Sequence, residues 1–142
     1  TPLNMANGFA RIRRTWKEGD RVEIELPMPI RRVVSHEKVE ENRDKVALER
    51  GPIVYCAEWR DNHGRALNLV LPDDARLEVN HRPNVLGGLS TIEGEAVAVY
   101  KTGDDEVEQK RQGFVAIPYY AWSHRGAGEM TVWLARDEDV AK

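Results

Sequence analysis

Cys56 is the single thiol in a chain of 142 residues. A thiol becomes a nucleophile only when its pKa falls and a base stands within reach. Cys56 sits inside Ile53-Val54-Tyr55-Cys56-Ala57, a run that reads as the interior of a strand, with no base beside it in sequence. The stronger reading is a small buried apolar residue. The four histidines, His36, His63, His81 and His124, each lack a second histidine two to four residues away. Many local metal motifs depend on that spacing, so these read as loop or surface residues. Acidic pairs occur at Glu40-Glu41, Asp73-Asp74 and Asp104-Asp105. Glycoside hydrolysis often uses two carboxyls about 5 to 9 Å apart, a separation that adjacent acids in turns do not establish. They read as solvated. Gly126-Ala127-Gly128 has no Lys-Ser/Thr after it and opens no clear helix, so it is a turn rather than a phosphate loop.

The most suggestive local cluster is Pro118-Tyr119-Tyr120-Ala121-Trp122. Flat rings stack on the C–H faces of sugars, and they also fill cores with a polar tip to spare. Tyr119, Tyr120 and Trp122 are therefore the candidate sugar-binding residues. The expectation set against this is that residues 114–122 form a core strand, bent where Pro118 lacks an N–H. No catalytic, cofactor-binding or metal-binding residue is assigned.

These side chains must be placed by strands. The strict alternation Arg21-Val22-Glu23-Ile24-Glu25-Leu26 predicts a strand with one wet face. Residues 9–16 predict its hairpin partner, turned at Lys17-Glu18-Gly19-Asp20. Further strands are expected at 30–34, 46–48, 53–59, 66–71, 76–79, 86–92, 96–100, 114–120 and 130–134. Residues 36–44 are polar and read as a linker, 102–111 as a charged loop, and 136–142 as a solvated tail. A helix at 39–48 is conceivable but weakly supported. Short strands between Gly, Pro and Asp turns predict an all-β fold, an antiparallel β-sandwich or jelly-roll.

Composition narrows the classes of function. Apolar residues make up 41% of the chain, enough for a core, and the formal net charge of −3 argues against nucleic acid. No apolar run reaches the about 20 residues of a membrane span. One cysteine and no Asn-X-Ser/Thr sequon suit a reducing compartment, so a bacterial cytoplasm is the expected location. The opening Thr1-Pro2, without a methionine, fits a piece of a longer chain.

Several stretches, taken in order, resemble one family. They are Gly8-Phe9-Ala10-Arg11-Ile12-Arg13-Arg14-Thr15-Trp16, Gly19-Asp20 and Leu26-Pro27-Met28-Pro29, followed by Lys45-Val46-Ala47-Leu48 and Arg50-Gly51-Pro52-Ile53-Val54-Tyr55-Cys56. Leu86-Gly87-Gly88, Ala116-Ile117-Pro118-Tyr119-Tyr120-Ala121-Trp122, Arg125-Gly126, Gly128-Glu129-Met130 and Val132-Trp133-Leu134 complete the set. Together they resemble the C-terminal region of glycoside hydrolase family 127, the β-L-arabinofuranosidase family. The resemblance implies a larger parent whose (α/α)6 barrel performs the chemistry, with β-sandwich domains after it. It also implies a catalytic cysteine held with zinc by further cysteines and a glutamate, all in that barrel. Cys56 matches the sandwich strand motif, so no catalytic or zinc-binding residue carries over to this sequence.

The expectation is thus a non-catalytic accessory region, not an enzyme by itself, with zinc confined to the parent's catalytic domain. Its partners are then the catalytic barrel and, in addition, a second copy in a homo-oligomer. Residues 1–36 would be strands ending a preceding sandwich, and residues 37–142 the C-terminal sandwich domain. A carbohydrate-binding module using Tyr119, Tyr120 and Trp122 is the alternative.

Overall fold

Val46 and Leu48, Tyr55 and Ala57, and Phe114 and Ala116 each sit two residues apart, and all six side chains are buried in one cluster. A period of two puts alternate side chains on one face of a strand, so the apolar pattern builds a sheet. The computed structural model describes residues 4–104, 106–137 and 141. Its strands are β1 (Asn4–Ala6), β2 (Phe9–Arg11), β3 (Ile30–Val33), β4 (Lys45–Arg50), β5 (Ile53–Glu58), β6 (Leu69–Val70), β7 (Leu77–Arg82), β8 (Leu89–Lys101), β9 (Val107–Pro118), β10 (Met130–Thr131) and β11 (Leu134–Ala135). The helical pieces are short 3-10 turns at Glu40–Asn42, Trp59–Asp61 and Tyr119–Ala121. The fold is all-β and, apart from one parallel pairing of β11 with β6, antiparallel among the described residues. No helix of these residues is long and apolar enough to cross a membrane.

The pairings form a circuit, β5–β9–β8–β6–β11–β4 and back to β5. The sandwich therefore folds over its own apolar face. Leu69, Leu71, Ile92, Ala96, Ala98 and Leu134 join the six residues above in that core. β3 adds to β4, β7 to β8 and β10 to β5. A second, smaller cluster lies on the opposite face of β5 and β9, where Cys56, Leu89, Ile117 and Ala121 are buried. Truncating a core aromatic such as Phe114 in a domain of this size typically costs about 3–5 kcal/mol.

Several expectations need correction. Residues 21–26 form no strand, and Val22, Ile24 and Leu26 are exposed. Alternation supplies only a face; a strand also needs a neighbour's backbone, and among the described residues none pairs with this segment. The predicted hairpin with residues 9–16 is replaced by a short one between β1 and β2. Its turn is Asn7-Gly8, with φ of 52° and 81°, the left-handed pair that a two-residue hairpin requires. Lys17–Asp20 does turn, through Asp20 N–H to Lys17 O at 3.1 Å, but joins no ladder.

Residues 107–111 are strand rather than loop, in register from Val107 opposite Lys101 to Arg111 opposite Val97. This end of the β8–β9 hairpin is exposed for much of its length, so its residues are charged and its period is invisible. Pairing to the partner strand decided the outcome. The two strands expected at 86–92 and 96–100 are one, β8, and that expected at 130–134 divides into β10 and β11. The conceivable helix at 39–48 reduces to the turn Glu40–Asn42 ahead of β4. Ile30–Val33, within the segment 1–36, pairs with β4 along its whole length. Of the predicted tail, Arg136 and Asp137 are exposed, and residues 138–140 and 142 lie outside the described residues.

Candidate functional site

The candidate site grows from the end of β9. Pro118 is the last residue of that strand, paired with Tyr55, and it has no N–H with which to extend a ladder. The chain then enters the 3-10 turn Tyr119–Ala121, with Ala121 buried. The expectation of a core strand over residues 114–122 holds for Phe114, Ala116, Ile117 and Pro118, all buried. It fails at the rings. Tyr119, Tyr120 and Trp122 are 45%, 67% and 36% exposed. The turn after Pro118 ends the alternation, so these rings no longer follow the inward face. Tyr119 and Trp122 stand with centroids 6.2 Å apart and planes tilted by 39°. That is an aromatic pair at ordinary contact distance, with Tyr120 beside it.

Beneath this turn lies a charged lock. Glu58 ends β5 and is only 2% exposed. Arg125 Nη2 donates to Glu58 Oε2 at 2.5 Å and to Asp61 Oδ2, while its Nη1 donates to Asp61 Oδ1 at 2.8 Å. Ser123 N–H donates to Glu58 Oε1 at 2.8 Å. The bonds that Arg125 donates to Asp61 raise its pKa above the usual value; burial opposes them and Glu58 adds to them. A buried carboxylate left alone would be costly, and the bidentate guanidinium is what makes it tolerable. Asn62, also buried, donates to Glu58 O and Val115 O and accepts from Val115 N–H at 3.0 Å. Glu129 receives the backbone N–H groups of Ala66 and Leu67. Burial works to raise its carboxyl pKa, yet those two bonds and Arg65 hold it below the usual value. The Tyr119–Ala121 turn and the Gly126–Gly128 loop are thereby tied to β5 and β9.

Cys56 lies on the same face of β5 as Glu58 and is buried. Burial, reinforced by the Glu58 charge and opposed by Arg125, pushes its thiol up to about 12. Such a thiol stays protonated at neutral pH and is not a nucleophile. His36, His63, His81 and His124 are all exposed and on separate segments. Among the described residues no three His, Cys, Asp or Glu side chains converge as a metal site. Asp73 is paired with Arg136 and Glu40 with Arg43. Asp104 is exposed, and Asp105 lies outside the described residues. The Arg125–Glu58–Asp61 lock was not anticipated from sequence. Its one trace there is a glutamate directly after the apolar run of β5.

Comparison with known proteins agrees with this geometry. Residues 30–135, from β3 to β11, match the model of the glycoside hydrolase family 127 C-terminal domain. A non-reducing end β-L-arabinofuranosidase from Bifidobacterium longum is 36% identical over 132 residues, covering 83% of this chain and 20% of that protein. A GH127 β-L-arabinofuranosidase from Geobacillus stearothermophilus T6 superposes with a TM-score of 0.71 at 46% identity, over 77% of this chain and 18% of the other. A further GH127 β-arabinofuranosidase structure reaches a TM-score of 0.88 at 37% identity, over 100% of this chain and 22% of that one. The chain thus spans about a fifth of the length of the curated relative it matches.

Proposed function

This chain belongs to glycoside hydrolase family 127, as its C-terminal domain, and we propose that it is the non-catalytic accessory sandwich of a larger bacterial, cytoplasmic β-L-arabinofuranosidase. It braces the catalytic barrel of that parent and offers a surface for self-association. The observation that carries the reading is the bare apolar face of residues 21–26. Val22, Ile24 and Leu26 all point to solvent with Trp16 and Phe9 exposed as well. Yet the whole chain superposes on a fifth of a longer arabinofuranosidase. In this reading residues 1–36 lead out of a preceding sandwich whose sheet covers that face, and residues 37–142 form the C-terminal domain proper.

The zinc implied for the parent does not fit this chain. Cys56 is the sole thiol, buried and held protonated beside two carboxylates, whereas the zinc implied for the parent is held by several cysteine thiolates and a glutamate. Zinc and its cysteine nucleophile are therefore assigned to the remainder of the parent. Hydrogen exchange tests the accessory reading. The backbone amides of residues 21–26 should exchange freely in this chain and become protected in the longer polypeptide. Equal exchange in both would overturn it.

A second reading is favoured by the exposure of Tyr119, Tyr120 and Trp122: a sugar-stacking platform. Tyr120→Ala and Trp122→Ala would then weaken arabinan-oligosaccharide binding without changing the unfolding midpoint. Loss of stability in the longer polypeptide, with binding unchanged, would instead assign the rings to an interface with the barrel.

A further inference from the structure

The chain reaches the sandwich at one end. Residues 13–27 are all exposed, and Met28 then lies against the bare α-carbon of Gly51. Two residues on, Ile30 pairs with Arg50 and β3 begins. The same end carries the aromatic turn. Gly51 lies between β4 and β5, and Tyr55 of β5 pairs with Pro118, so the turn after Pro118 runs back alongside Ile53 and Val54. Tyr120 stands near enough to act on Tyr55: burial raises the Tyr55 pKa, Arg50 opposes that, and Tyr120 adds to it.

The surface at this end is apolar and strained. Val54, Leu86, Tyr119, Tyr120 and Trp122 are each more than a third exposed. Leu86 follows Val85, which packs on the cluster that holds Cys56, Ile117 and Ala121. Leu86 has a φ of 47° and Ser123, next to Trp122, a φ of 70°. The left-handed region is unfavourable for a leucine, and strain of this kind gathers at sites that meet a partner. Here it holds a leucine and an indole toward solvent, where the sandwich alone gains nothing from them. The charges below are already matched, Glu58 and Asp61 with Arg125. A patch of Tyr, Trp and aliphatic chains without an unmatched charge at its centre has the make-up of a protein interface core. A sugar face lies flat on one ring; Tyr119 and Trp122, tilted by 39° and flanked by Val54 and Leu86, suit a rounded apolar surface better.

We propose that this patch docks the domain that immediately precedes the sandwich in the parent polypeptide. Two observations point to that occupant. The chain spans about a fifth of each matched relative and matches the family's C-terminal domain, so most of such a parent lies before it. The exposed segment 13–27, which leads back to that remainder, arrives at the patch's own end of the sandwich. A domain tethered there by a short segment meets the patch at high effective concentration, so a modest apolar contact is enough to seat it. The inference rests on the accessory reading and adds the rings and Leu86 to the covered surface.

The test places the photoreactive residue p-benzoylphenylalanine at position 120 of the parent polypeptide, irradiates it at low protein concentration and maps the cross-linked peptides by mass spectrometry. An unchanged unfolding midpoint shows that the labelled protein is folded. The expected result is a cross-link, within one polypeptide, to the domain immediately before these 142 residues. Cross-links to a second copy would give the patch to self-association, and cross-links to the barrel would give it to the catalytic domain; either would overturn the proposal, as would the absence of any cross-link. Hydrogen exchange of residues 21–26 in the same protein separates the two readings. Protection there without a cross-link from position 120 would leave the accessory reading standing and this one refuted. Arabinan-oligosaccharide binding by the parent that Tyr120→Ala abolishes would place a sugar on the rings and overturn the proposal as well.

Discussion

The indole of Trp59 lies directly against the bare α-carbon of Gly128. A methyl group there would fall inside the van der Waals surface of the Trp59 ring at Cδ1 and Nε1. Trp59 N–H in turn donates to Glu129 O at 2.9 Å. The turn that follows β5 and the loop that precedes β10 are thus held together by a contact that only glycine permits. Gly128 belongs to the packing of the sandwich.

Gly128→Ala should therefore destabilise the domain by about 1–3 kcal/mol, the usual penalty of overpacking. Urea titration followed by tryptophan fluorescence reads it. Trp59→Ala in the same background should recover part of the loss, a coupling expected of residues in contact. Additive losses would show that the two do not share a contact.

Arg125→Met should cost about 3–5 kcal/mol, because it leaves the Glu58 carboxylate buried without its partner. Pairing it with Glu58→Gln should restore much of that stability. A single variant with a wild-type denaturation midpoint would mean that the lock contributes nothing.

Cys56 should resist an aromatic disulfide reagent at neutral pH until the protein unfolds. Its thiol is raised to about 12 in the folded chain, against about 8.5 when unfolded. The folded state keeps the proton while the unfolded state loses it. Stability from this group is therefore complete below about pH 8.5 and declines as pH climbs toward the folded value. Cys56→Ala should flatten that alkaline decline, and denaturant midpoints between pH 7 and pH 10 on the two proteins would show it. Parallel slopes would count against the assignment.

Phe114→Ala and Tyr120→Ala separate core from surface in one segment. The first removes a buried core ring and should cost about 3–5 kcal/mol. The second removes a ring that is 67% exposed and should stay within about 0.5 kcal/mol of the parent. Equal losses would mean that the turn after Pro118 is packed as tightly as the strand before it.

The sequence by itself determined the fold class, since apolar residues two apart at Val46, Leu48, Tyr55, Ala57, Phe114 and Ala116 define strand faces without reference to any partner. It also carried the family resemblance, spread over motifs from Gly8 to Leu134. Tertiary structure decided what depends on a second segment. Residues 21–26 have as clear an alternation as any strand here, yet they stay unpaired because a ladder needs two backbones. Residues 107–111 have almost none, yet they pair with β8. Tyr119, Tyr120 and Trp122 read as core by type and emerged on the surface, because Pro118 ends the ladder one residue before them. The Arg125–Glu58–Asp61 lock joins residues more than sixty positions apart. Local patterning fixes which face a side chain takes along its own strand. What that face meets is set by chain segments distant in sequence, and no spacing rule records them.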